Sequence, residues 1–100
     1  MTYADSTERT DFINGLRGLA DYLESNPEIP APIYSTVYVF PSDGGWPGMC
    51  ADIEATATRM DVPAHLTISG HYVATRDFGP IEYRAVAIPP KNGSTDEESE

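Results

Sequence analysis

The tightest constraint on the fold lies in residues 70–89, where two runs of β-branched, aromatic and small residues flank Phe78-Gly79-Pro80. Glycine accepts positive φ and proline fixes a bend without offering an N–H, so a Gly-Pro pair between such runs predicts a β-hairpin. An even-numbered loop sets Arg76 opposite Ile81, Ala74 opposite Tyr83 and Tyr72 opposite Ala85, which places large beside small twice. Side chains alternate across a strand, so this register gathers Tyr72, Ala74, Ile81, Tyr83, Ala85 and Ala87 on one face. His71, Val73, Thr75, Glu82, Arg84 and Val86 fall on the other. The first set is the expected core face.

Around this hairpin the chain reads as one α+β domain. Over residues 7–25, Phe12, Leu16, Leu19 and Leu23 recur at helical spacing, with Ile13 and Ala20 beside them. Ser6 or Thr10 is positioned to cap this helix, and Asn26-Pro27 ends it, because proline disfavours helical geometry in the residue before it. Gly15 and Gly18 each weaken the helix by about 1 kcal/mol relative to alanine, a cost that close approach to a sheet would explain. Arg17 and Asp21 stand one turn apart on its polar side.

The alternate prolines Pro30 and Pro32 predict an extended connection. Residues 33–40 follow, a β-rich run closed by Pro41. Both faces of this run are apolar, which predicts a strand inside the sheet. A second helix is expected over residues 47–60, with Met49, Ile53, Ala57 and Met60 as its buried stripe and Val62-Pro63 as its stop. Residues 64–68 form a short strand leading through Ser69-Gly70 into the hairpin. The expected architecture is helix, strand, helix and three strands, with both helices on one face of a four-stranded, mostly antiparallel sheet. The domain spans residues 1–90, and the polar stretch 91–100 is expected to be a disordered tail.

Charge narrows the functional classes. The chain carries a net charge of −10 over 100 residues. The tail holds four acids against Lys91, so the rest has twelve acids against five arginines and is itself acidic. Such a field repels phosphate backbones and argues against direct nucleic-acid or anionic-membrane binding. The lone Cys50 forms no internal disulfide, and no apolar run reaches signal-peptide or membrane-spanning length. A reducing cytoplasm is the expected setting.

No constellation supports catalysis or a cofactor. Gly44-Gly45-x-x-Gly48 lacks the lysine of a phosphate loop, and Asp43 would repel an anion. His65 and His71 have no third metal ligand at a recognised spacing, so no metal is expected. Ser69 and His71 are strand neighbours without a nucleophile elbow. Cys50 near a helix start could have a lowered thiol pKa, although small residues there usually pack. The carboxylates are scattered rather than paired for acid-base work.

Two candidates remain. If helices cover only one sheet face, the other presents Tyr34, Tyr38, Phe40, Val73 and Val86, with His71 and Arg84 beside them, as a surface for a protein partner. The acidic surround would favour a basic rim on that partner, and a homo-oligomer is the other form such contact could take. The alternative function is an acidic DNA mimic that occupies a nucleic-acid-binding protein. Arg9, Arg17, Arg76 and Arg84 interrupt the carboxylate rows that mimicry requires.

Residues 11–24, the Asn26-Pro27-Glu28-Ile29-Pro30 link, Gly70-His71-Tyr72-Val73 and residues 78–89 resemble small acidic proteins encoded by actinobacteria and their bacteriophages. The resemblance covers nearly the whole chain apart from the tail and carries no assigned activity or catalytic residue. It implies a cytoplasmic accessory protein encoded by a phage or mobile element; the expected function is a non-enzymatic protein-interaction domain that modulates a host protein.

Overall fold

A computed structural model describes residues 3–41 and 44–90. The expected tail at 91–100, Met1, Thr2, Ser42 and Asp43 lie outside the described residues. The elements follow the predicted order: α1 (Ser6–Ser25), β1 (Ser35–Val39), α2 (Gly45–Met60), β2 (His65–Leu66), β3 (Tyr72–Phe78) and β4 (Ile81–Ala87). The four strands form one mixed sheet in the order β1-β4-β3-β2. Two of its three pairings are antiparallel, and β1 runs parallel to β4.

The hairpin forms with a tighter loop than the large-small pairing suggested. Gly79 and Pro80 alone connect β3 to β4, and Gly79 takes the positive φ of 61° that the first position of a two-residue II′ loop demands. The pairs are therefore Phe78 with Ile81, Arg76 with Tyr83, Ala74 with Ala85 and Tyr72 with Ala87. The register is displaced by two residues from the expected one. An even displacement leaves every side chain on its predicted face.

The core lies on the predicted face. Ile53 and Ala57 of α2 are buried against Ala74, Ala85 and Ala87, with Val39, Trp46, Met49, Met60, Val62 and Tyr72 packed around them. Three sheet alanines let α2 lie close to the strands. The end of α2 is fixed by Asp61, a left-handed residue at φ 58°. Its N–H donates to the Ala57 and Thr58 carbonyls, and the Val62 N–H donates to the Ala57 carbonyl at 3.0 Å, closing a Schellman-type cap. Arg76 of β3 adds a donor and a positive charge at the same helix end, its Nη1 reaching the Met60 carbonyl at 2.8 Å.

Two elements stand differently from expectation. β1 occupies an edge of the sheet rather than its interior, with β4 as its sole strand neighbour. Helix α1 is well formed and begins with a capping box built by Asp5, not by Ser6 or Thr10. Asp5 Oδ1 accepts from the Glu8 N–H at 2.8 Å and Glu8 Oε1 from the Asp5 N–H at 2.9 Å. Only α2 packs on the sheet; no Cα of α1 comes within 8 Å of one in the sheet strands or in α2.

Candidate functional site

The face of the sheet opposite α2 carries the residues expected to meet a partner, and the structure divides them. Tyr34 and Tyr38 are exposed, at 75 % and 58 %, and the Tyr38 ring stacks on the half-buried Phe40 with centroids 6.2 Å apart. Val73 and Val86 are cross-strand partners in the middle of the sheet and are 0 % and 4 % exposed. They offer no surface to a partner, which corrects their place in the predicted patch. His71 and Arg84 are half-buried beside them.

Polar pairing closes much of the remaining surface. Glu82 accepts from Arg84 Nε at 3.1 Å and from Thr36 Oγ1 at 3.3 Å. At the hairpin end, Tyr34, Thr36, Asp77 and Glu82 help line an open groove of about 270 Å³. Asp77 and Glu82 are directly opposite one another across the strands, an arrangement of like charges that costs stability. Among the described residues no three His, Cys, Asp or Glu side chains gather as a metal site. Ser69 Oγ lies 2.9 Å from Thr67 Oγ1, which also accepts the His71 backbone N–H at 3.1 Å. The Ser69 hydroxyl thus belongs to a local turn.

Cys50 sits in the first turns of α2, where the helix field would lower a thiol pKa. Burial acts the other way, with the Glu54 charge adding to it, and the thiol is pushed above its ordinary value. Gly45, expected to precede the second helix, is the first residue of α2, and Gly48 lies within the helix as expected.

The edge strand offers a second kind of surface. Ser35 donates its N–H to the Pro80 carbonyl at 3.1 Å, so strand alternation turns the backbone groups of Thr36 and Tyr38 away from β4. β1 contains no charged residue, whereas edges are ordinarily protected by charge, proline or brevity. β2, at the opposite edge, is protected by its two-residue length.

A further exposed apolar surface lies outside the predicted patch, on α1. No residue of this 20-residue helix is buried. Phe12, Leu16, Leu19 and Tyr22 are 52 %, 45 %, 54 % and 52 % exposed. Fully burying such a side chain contributes roughly 1.5–3 kcal/mol, so about half of that is unrealised at each. A Cβ built at Gly15 or Gly18 would meet nothing within 4 Å, so no intramolecular approach accounts for either glycine. The stripe was legible in the sequence; what escaped sequence reasoning is that the chain does not cover it.

α1 is linked to α2 at its start and closed by a local turn at its end. Before it, Tyr3 is hydrogen-bonded to Thr56 of α2, and burial raises the Tyr3 pKa. After it, Asn26 Nδ2 donates to the Tyr22 carbonyl and the Ile29 N–H donates to the Asn26 carbonyl, both at 2.9 Å. Among the described residues no helix is long and apolar enough to cross a membrane. A scan against protein-family models and searches of curated proteins and of solved structures all return no match.

Proposed function

We propose that this chain is a non-enzymatic protein-interaction domain whose principal docking element is α1. The observation that carries the reading is the apolar stripe of Phe12, Leu16 and Leu19, each about half exposed and continued by the half-buried Leu23, on a fully formed helix that does not pack on the sheet or on α2. Propensity alone lends an isolated helix of this mixed composition little stability, and Gly15 and Gly18 lower it further. Helices in proteins draw most of their stability from burying an amphipathic face. Association supplies that burial.

The sheet and α2 act as the platform from which α1 is presented, with the hydrogen bond between Tyr3 and Thr56 joining the start of the helix to α2. Tyr34 and Tyr38 form a separate aromatic surface. The resemblance to phage-borne accessory proteins fits a modulator of another protein, and the net charge of −10 favours a basic rim on any foreign partner.

The test is a Leu16→Asp/Leu19→Asp double variant compared with wild type and with Tyr38→Asp in cross-linking experiments, both purified and in a host lysate. The stripe variant is expected to lose its adducts while the near-ultraviolet signal of Trp46 and Tyr72 persists. Tyr38→Asp is expected to retain them. Adducts that survive the stripe substitutions would refute α1 as the docking element. Loss of adducts on adding duplex DNA would instead favour the DNA-mimic reading.

A further inference from the structure

Resting on the reading of α1 as a docking element, we infer that its occupant is a second copy of the same helix, packed antiparallel to make a two-fold homodimer. Phe12, Leu16, Leu19 and Leu23 follow the alternating four- and three-residue spacing of a two-helix seam. Place the two-fold axis between Arg17 and Gly18. Phe12 then lies against the partner's Leu23, and Leu16 against the partner's Leu19.

The flanks match as well. On one side Tyr22, 52 % exposed, reaches over the partner's Gly15, where the structure leaves open space for it. On the other, Ile13 meets the partner's Ala20. Large faces small on both flanks, as isologous contact requires of a patch that must complement itself. The glycine that destabilises an isolated α1 is therefore placed where a partner's ring needs room.

Charge gives a separate argument for the antiparallel sense. α1 has Glu8 in its first turn and no basic residue in its last, so its negative C-terminal end lacks a compensating cation. Antiparallel packing brings Arg9 of each copy to the partner's last turn, beside Tyr22 to Asn26. Parallel packing would instead place the two Arg9 side chains together. The helix as a whole carries four acids, Glu8, Asp11, Asp21 and Glu24, against Arg9 and Arg17. The mild like-charge repulsion that remains is screened by salt.

The test uses the full chain in sedimentation equilibrium and light scattering. At roughly 100 µM, where a micromolar dimer is mostly associated, the expected mass is twice 10.9 kDa. It should fall to one chain in Leu16→Asp/Leu19→Asp, with the hairpin amides still dispersed in NMR spectra. Added salt is expected to strengthen the dimer, opposite to a complex held by a basic rim. Helix polarity is read by spin labels in a Cys50→Ser background. A label at Arg17→Cys should lie level with its symmetry mate along the helix axis, whereas one at Ser25→Cys is offset along the axis by about 22 Å and so more widely separated. Equal separations at both positions would mean parallel packing and overturn the arrangement. A wild-type monomer would overturn the homodimer; if its α1 amides exchange rapidly and its stripe binds an apolar dye, the interaction reading survives. A monomer with protected α1 amides and no dye binding would refute both.

Discussion

Tyr72 shows how one side chain ties helix to sheet. From the core face of β3 its hydroxyl donates to Glu54 Oε2 of α2 at 2.6 Å, and this hydrogen bond, with burial and the Glu54 charge adding to it, raises its pKa above 10.0. The sign of the linkage follows. A tyrosine whose folded pKa exceeds its unfolded value contributes stability that is whole below the unfolded pKa, near pH 10, and lost as pH rises through the folded one. Urea denaturation of wild type and Tyr72→Phe should therefore give a stability difference in favour of wild type that is constant from about pH 7 to pH 9 and shrinks above about pH 10. A difference that grows on alkalinisation would contradict the assigned bond. Reading residues one at a time was uneven from sequence. The alternation that assigns Tyr72 and Ala74 to the core face also assigns Val73 and Val86 to the reverse face. It does not reveal that two adjacent valines at the centre of the sheet lose their exposure there.

At the scale of elements, hydropathy specified which residues form helices and strands better than it specified what those elements meet. β1 reads as an interior strand because both its faces are apolar, but a strand's position in a sheet is decided by its edges, which side-chain patterning does not report. The hairpin register likewise turned on loop length: two loop residues displace the pairs by two and preserve the faces. The stop of α2 was legible at Val62-Pro63, while the left-handed Asp61 that closes it was not, since glycine is the usual residue there. Asp61 holds φ 58° against the steric preference of a side chain. Asp61→Gly is therefore expected to stabilise the protein by about 0.5–1 kcal/mol, net of the added freedom of the unfolded chain. Chemical denaturation reads the difference, and a loss of stability would show that the aspartate side chain itself supports the cap.

The whole molecule joins a thin core to an uncovered helix. Ile53 and Val73 are the largest fully buried side chains, on opposite sides of the sheet, and much of the remaining core is alanine. Small residues bring α2 close to the strands, yet each buries little apolar area, so Ile53 carries a large share of the helix-sheet attachment. Replacing a buried isoleucine with alanine costs about 2–5 kcal/mol through lost transfer energy and the cavity left behind. Domains of this kind have only about 5–15 kcal/mol to lose. Ile53→Ala is thus expected to shift the urea midpoint sharply downward and to populate the unfolded state at moderate temperature. The effect should be smaller at Met49, whose half-buried side chain lies beside the core. Equal losses at Ile53→Ala and Met49→Ala would mean that the core is more evenly distributed than its exposures indicate. If association through α1 contributes as proposed, the Ile53→Ala midpoint will also rise with protein concentration, because a partner that binds only the folded state stabilises it by mass action. Stability and association in this chain are then a single linked equilibrium.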